Sequence, residues 1–290
     1  MTSPGAKLRA LIDKGEHFVC GDTYSAITGR IVEHVGFPAA YLGGHACSAF
    51  HYAVPDNGVY SQVEQIEQAS RIANVMSIPL IADADTLGET VADAYHYTRR
   101  YIQQGIAGFH VEDERNPKHS KHVNGLWSIA DQQARIDAAR RAQKDSGQDF
   151  VIVARCDELY TSEMGGGGTG SWDEAVKRGH AYLEAGADVL FYPPRPDWVG
   201  DLVKEFGGNK VATMGFSVPG TGFNMATGGW VTAAANHLKM MRELKDEGQV
   251  KSGNWNFPEK YELIDHPLYD GLIEEWAEKT GRQSRPNHAP

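Results

Sequence analysis

Ile78-Pro79-Leu80-Ile81-Ala82-Asp83-Ala84-Asp85-Thr86 and Ile106-Ala107-Gly108-Phe109-His110-Val111-Glu112-Asp113-Glu114 are the two stretches on which the fold turns. Each starts as a short apolar run and ends in acids. A run too short for a helix and apolar at every position reads as a strand buried on both faces, as in a parallel sheet. Comparable runs recur, and the expected strands are 17–20, 39–42, 79–83, 107–112, 150–155, 188–192 and 210–213. Helical spacing fills the gaps. In segment 89–103, Val91, Ala94, Tyr95, Thr98 and Ile102 fall on one helical face. Segments 131–144 and 172–185 behave alike, the latter stopped by Gly186 as a C-cap would stop it. Repeated strand–helix units imply parallel strands with right-handed crossovers. With an obscure eighth strand near Trp230-Val231, the pattern predicts an α/β fold, a (β/α)8 TIM barrel. A doubly wound open sheet is the alternative.

The chain has 290 residues with 41% hydrophobic content, enough for one large barrel or two smaller domains. Its net charge of −10, from 28 basic and 38 acidic side chains, argues against a nucleic-acid partner. No apolar run reaches the roughly 18 residues of a membrane span, and the segment Met1–Lys7 has no apolar signal core. Cys20, Cys47 and Cys156 lack zinc-like spacing and read as reduced thiols of a cytoplasmic protein. The expected division is a catalytic barrel over 1–248 and a helical extension over 249–290. Segment 272–277 resembles a last helix whose apolar face needs a partner. Gly165-Gly166-Gly167-Gly168-Thr169-Gly170 lies in a strand-to-helix loop but lacks the Gly-Lys-Ser/Thr ending of a phosphate cradle, so a mobile loop is expected.

Side chains two apart on a strand point the same way, so Asp83 and Asp85 are expected to face one site, with Glu112 arriving from the next strand. Three hard oxygen donors with room for water suit Mg²⁺, or Mn²⁺. The plain alternative for Asp85 is a helix N-cap, since a helix opens near Glu89. Arg155 ends the following strand, where a guanidinium can grip a substrate carboxylate. A rim salt bridge to Glu112 or Asp157 is compatible with that role.

These residues together resemble the isocitrate lyase/phosphoenolpyruvate mutase superfamily. The likeness runs from Gly21-Asp22-Thr23-Tyr24-Ser25-Ala26 to about Gly215. It includes Tyr41-Leu42-Gly43-Gly44, Pro55-Asp56-Asn57-Gly58, Ala82-Asp83-Ala84-Asp85-Thr86, Val111-Glu112-Asp113, Lys118-His119-Ser120-Lys121-His122 and Ala154-Arg155-Cys156-Asp157. The resemblance implies a metal site in which Asp83 ligates Mg²⁺ directly and Asp85 and Glu112 act largely through water. It implies that Arg155 binds substrate, that Tyr41, Gly43 and Gly44 line a carboxylate pocket, and that Asp56 lies near the reacting centre. It also implies a homo-oligomer, dimer or tetramer, with a C-terminal helix swapped between subunits.

Departures from the superfamily narrow the chemistry. Its lyases carry Lys-x-Cys-Gly-His, whose thiol protonates the enolate product; here Ser120 takes the cysteine's place. A hydroxyl is a far weaker acid than a thiol, which argues against ordinary isocitrate or methylisocitrate cleavage. Lys118, Ser120 and His122 are then the candidates for proton delivery from a closing loop. Gly43 stands where Ser is common, and Met214-Gly215 where Asn and Glu lie nearby. Ring side chains at His45, His51, Tyr192, Phe216 and Trp230 hint at a bulkier substrate, core packing being the plainer role for each. The expected activity is Mg²⁺-dependent C–C cleavage of an α-hydroxy or α-keto carboxylate through an enolate-like intermediate, by retro-aldol reaction or decarboxylation. C–P chemistry on a phosphonopyruvate-like substrate is the second reading, and a non-catalytic metabolite-binding barrel the third.

Overall fold

Eight parallel strands close on themselves in chain order. They are β1 (Phe18–Asp22), β2 (Ala39–Leu42), β3 (Leu80–Asp83), β4 (Gly108–Glu112), β5 (Val151–Arg155), β6 (Val189–Phe191), β7 (Val211–Met214) and β8 (Phe223–Met225). The seam joins β8 to β1, with Phe18 opposite Phe223 and Cys20 opposite Met225. The computed structural model describes residues 2–119, 122, 125–193, 196–253 and 257–282. The first seven strands lie where the apolar runs put them. The eighth does not: Trp230 and Val231 begin the helix Gly229–Glu247, and the last strand comes earlier. Phe223-Asn224-Met225 is too short to show a period. It is a strand because β7 and β1 pair with it on either side.

Alternation along the strands sorts side chains to two faces. Tyr41, Ile81, Val153 and Phe191 pack together inside the barrel. Their neighbours Ala40, Ala82, Ile152 and Leu190 belong to the outer layer, together with helix residues such as Ile66 and Ile136. This parity places Asp83 in line with Ile81, Glu112 with His110 and Arg155 with Val153, all inward-facing at the C-terminal ends. The opposite end is closed by the helix Pro4–Asp13, whose Leu8 and Ile12 join the interior cluster. Its Lys7 Nζ donates to the Ser77 carbonyl at 2.7 Å and its Arg9 pairs with Asp149 at 2.7 Å, both at the entries of strands.

The helix expected over 89–103 is Val91–Gln103, started by Thr90 in a reciprocal capping box with Asp93. Asp85 is therefore no N-cap. The chain divides into two compact units, Met1–Ala234 and Ala235–Pro290, the division falling inside the helix Gly229–Glu247. In the second unit the helix His266–Thr280 carries Leu268, Leu272 and Trp276 at four-residue spacing, and all three are exposed.

A Cβ on Gly5 would lie 1.8 Å from the Asp149 carbonyl oxygen. Gly5→Ala therefore forces the first helix off the barrel floor. The expected cost is about 1–3 kcal/mol, read as a lower urea midpoint with an unchanged slope.

Candidate active site

The acids converge at the C-terminal mouth, where barrel chemistry is carried. Asp83 is the last residue of β3. Its Oδ2 accepts from the Gly44 N–H at 2.9 Å and its Oδ1 from the Asp85 N–H at 2.8 Å. Only glycine permits the first contact, since a Cβ on Gly44 would sit 2.8 Å from Asp83 Oδ2. Asp85 reaches the site by another route than strand alternation. It lies past the end of β3, in a turn with φ of 44°, a left-handed conformation that aspartate tolerates.

Lys118 sits at the centre of the acids and is fully buried, with an exposure of 0%. Its ammonium donates to Asp85 Oδ1, lies 2.9 Å from Glu112 Oε1 and 3.4 Å from Asp56 Oδ1. The other oxygen of Glu112 pairs with Arg155 Nη1 at 2.9 Å. Arg155 in turn donates through Nε and Nη2 to Asp157 Oδ1, at 3.0 and 2.8 Å. The rim salt bridges anticipated for Arg155 are thus both present, and its side chain still lines the cavity described below.

The charges can be ordered by their surroundings. Burial alone would raise Asp83, but His110, Lys118, Arg155 and the Asp85 N–H outweigh it and bring the carboxyl down to about 2. Burial likewise opposes ionisation of Glu112, and Arg155 and Lys118 overcome it, leaving the group below its ordinary value. Asp85 goes the other way. Burial and the nearby Asp83, Asp56 and Glu112 carry it well above the carboxylate range despite Lys118. Burial would strip Lys118 of its proton, yet Asp85, Glu112 and Asp56 hold the ammonium well above the usual lysine range. Glu114, buried near Asp157 and Glu112, is pushed up to about 8 and keeps its proton at neutral pH.

This pattern bears on a metal. Among the described residues no three His, Cys, Asp or Glu side chains stand ready to hold an ion, because Lys118 lies between Asp85 and Glu112. The donor chemistry nevertheless fits a hard dication: the oxygens of Asp83, Asp85 and Glu112 lie together, and burial with the neighbouring carboxylates raises Asp85 well above its ordinary value, as in a cluster short of positive charge. A dication there would have to take over carboxylate oxygens that Lys118 now engages.

Beside the acids lies a cavity of about 330 Å³. Tyr41, Gly43, Gly44, Asp56, Asp83 and Arg155 border it, as the sequence led us to expect. Four further residues of the site escaped sequence reasoning. His110 is fully buried, with Nε2 2.8 Å from the Tyr41 hydroxyl and 3.5 Å from Asp83 Oδ2. Burial lowers its pKa, with Asp83 pulling the other way. Its signal was available, two residues before Glu112 on an inward-facing parity. His119 donates from Nδ1 to the Asp56 carbonyl at 2.9 Å, tying the Lys118 segment to the Asp56 turn. Asp22 and Tyr160 also border the cavity. Of the aromatic candidates, Trp230 and His45 reach it. Tyr192 turns outward, its hydroxyl donating to the Ala175 carbonyl at 3.1 Å. Phe216 and His51 are not among the lining residues. Cys156 packs in the outer layer, as its parity required.

Two loop expectations need comment. Ser120 and Lys121 lie outside the described residues, and His122 is not among the described residues that border the cavity. The glycine loop is folded back rather than loose. Gly166 N–H donates to the Thr161 carbonyl at 3.0 Å, Gly168 N–H to the Tyr160 carbonyl at 2.9 Å, and Glu158 accepts from the Thr169 N–H at 3.1 Å.

Residues 8–226 match the family model described as phosphoenolpyruvate phosphomutase. The chain belongs to that family. Family members similar to it have diverse activities. A phosphonopyruvate hydrolase of Variovorax sp. is 35% identical over 208 residues, covering 69% of this chain and 68% of that one. A 2,3-dimethylmalate lyase of Eubacterium barkeri is 32% identical over 188 residues, covering 64% of this chain and 62% of that one. The match thus spans less than two thirds of the lyase's length. In three dimensions, phosphonopyruvate hydrolase in complex with oxalate and Mg²⁺ superimposes with a TM-score of 0.78 at 25% identity, over 96% of this chain and 99% of that one. The (β/α)8 barrel and membership of the isocitrate lyase/phosphoenolpyruvate mutase superfamily, anticipated from the motifs, hold.

Replacing Lys118 by Met leaves buried carboxylates without their cation. The expected loss of stability in the presence of a chelator is about 3 kcal/mol, measured by urea unfolding. Adding Mg²⁺ to the variant should return part of it, and an unchanged midpoint under both conditions would remove the ammonium from this role.

Proposed function

We propose that the protein is a Mg²⁺-dependent lyase that cleaves a C–C bond of an α-hydroxy or α-keto carboxylate through an enolate-like intermediate. One observation carries the reading: Asp83, Asp85, Glu112, Lys118 and Arg155 gather at the barrel mouth beside a cavity sized for a small acid. Asp83, Asp85 and Glu112 would hold the ion. When bound there, Mg²⁺ supplies positive charge that steadies an enolate oxygen. Mn²⁺ accepts the same oxygens.

The chain's own groups divide the remaining work. Arg155 borders the cavity and receives the substrate carboxylate; its ties to Glu112 and Asp157 hold the guanidinium in one orientation. Tyr41 is a poor base, because burial and Asp83 raise its hydroxyl well above the ordinary phenol range. It keeps its proton and serves as a hydrogen-bonding group beside His110. Asp56, bordering the same cavity, is the better candidate to take the substrate's hydroxyl proton. Lys118 stays protonated and donates hydrogen bonds. Ser120 and His122, close in sequence to Lys118, are the candidates to return a proton to the product.

The similarity to a phosphonopyruvate hydrolase supports a second reading, C–P hydrolysis. Phosphate release from phosphonopyruvate would separate it from carbon–carbon cleavage, which releases none. Three buried cysteines without disulfide partners support a cytoplasmic setting. The exposed apolar row Leu268, Leu272 and Trp276 supports a homo-oligomer, dimer or tetramer, in which a second copy covers it.

Chelator treatment should abolish turnover and Mg²⁺ should restore it. Glu112→Gln is expected to lower turnover at least about 100-fold, followed by steady-state kinetics at saturating Mg²⁺. Ser120→Ala and His122→Ala are each expected to slow turnover by about 10²-fold or more. Full activity in both variants would take the loop out of proton transfer.

A further inference from the structure

The lining of the cavity comes from two arcs of the barrel. Tyr41, Asp56 and Asp83 belong to β2, β3 and the segment between them, and Arg155 to β5. Phe191, Pro193, Met214, Trp230 and Val231 come from β6, β7 and the segments after β6 and β8, with the Phe191 ring 5.7 Å from the Arg155 guanidinium. Trp230 is held in place. The Gly229 N–H donates to Asp22 Oδ2 at 2.6 Å, fixing the start of its helix to the end of β1, and the His45 ring stands edge-on to the indole at 4.9 Å. Among the described residues bordering the cavity, Arg155 is the one Lys or Arg, and Glu112 and Asp157 already orient it. Asp22, whose carboxylate accepts from the Gly229 N–H next to Trp230, also borders the cavity. A second substrate carboxylate placed there would lose its water to an apolar wall and meet a like charge.

We infer that the substrate has a single carboxylate, on a 2-oxo acid head, and an apolar alkyl or aryl group beyond the bond that breaks, with Trp230 and Val231 selecting for that group. The inference rests on the lyase reading above and deepens it. The 2-oxo head follows from electron counting. In retro-aldol cleavage the pair of the broken bond must pass into a carbonyl; with no second carboxylate on the departing part, the head has to take it. For a 4-hydroxy-2-oxo acid, Asp56 takes the C4 hydroxyl proton and the C3–C4 bond breaks. C4 leaves as an aldehyde, the pair forms the enolate of pyruvate, and a proton returned to C3 completes the reaction. No oxidant, reductant or water is consumed.

The test compares two nearly isosteric substrates with the full-length Mg²⁺-loaded protein, pyruvate release being read through lactate dehydrogenase. One is 4-hydroxy-5-methyl-2-oxohexanoate, ending in isopropyl; the other is 4-hydroxy-2-oxoglutarate, ending in carboxylate. The expected kcat/KM favours the isopropyl compound by about tenfold or more. Trp230→Ala should erase the preference and Trp230→Phe should keep most of it. Val231→Arg should turn it towards the carboxylate. Equal or better use of the carboxylate compound by the wild type overturns the inference, as does a preference that neither Trp230→Ala nor Val231→Arg moves. Calorimetry with oxalate separates this failure from that of the lyase reading. Oxalate bound but neither compound cleaved sinks the present inference, whereas oxalate not bound at all sinks the reading beneath it.

Discussion

The mouth of this barrel is organised by one carboxylate. Glu112 is fully buried and its two oxygens face different cations, Lys118 at 2.9 Å and Arg155 at 2.9 Å. A charge this deep is tolerable only when paired. Glu112 therefore constrains everything around it. It brings the Lys118 segment down onto β4 and β3, and it sets the direction from which the guanidinium faces the cavity. Asp157 completes the arrangement by holding the other edge of Arg155. A second ionic knot lies just outside the strands. Asp113, facing away from Glu112, accepts from Arg178 at 3.1 Å, from the Tyr182 hydroxyl at 2.6 Å and from the Asp157 N–H at 2.8 Å. Glu112, the last residue of β4, and Asp113 just beyond it thus serve the candidate site and its scaffold separately.

Crowding of like charge is the functional feature of the cluster. Asp56, Asp83, Asp85 and Glu112 outnumber Lys118 and Arg155, and burial with the neighbouring carboxylates pushes Asp85 well above its ordinary value. A site in that condition attracts further positive charge, which is the physical basis for reading it as a dication site. Lys118 and a dication would draw on the same oxygens.

The apolar part of the lining gives the cavity its second character. On the inference drawn above, a small substrate would meet charged groups and rings together, which would orient it before any bond breaks. The Asp22–Gly229 hydrogen bond links that wall to β1. Trp230 is therefore tied to the barrel's first strand through the start of the helix that follows its last.

Local sequence determined the barrel strands β1 to β7, because a strand buried on both faces must be apolar throughout, and it placed Asp83, Glu112 and Arg155 at the C-terminal ends of their strands, because each closes such a run. Their parity with Ile81, His110 and Val153 needs only the two-residue period of a strand. The tertiary structure alone decided the rest. β8 is three residues long and becomes a strand only when β7 and β1 flank it. Asp85 leaves the strand and returns through a left-handed turn, which no alternation rule can anticipate. Lys118 is buried by three acids, Glu112 from the end of the preceding strand and Asp56 and Asp85 from far earlier in the chain. The pairing with Asp56 and Asp85 is made only by the fold and leaves no mark in the residues beside Lys118.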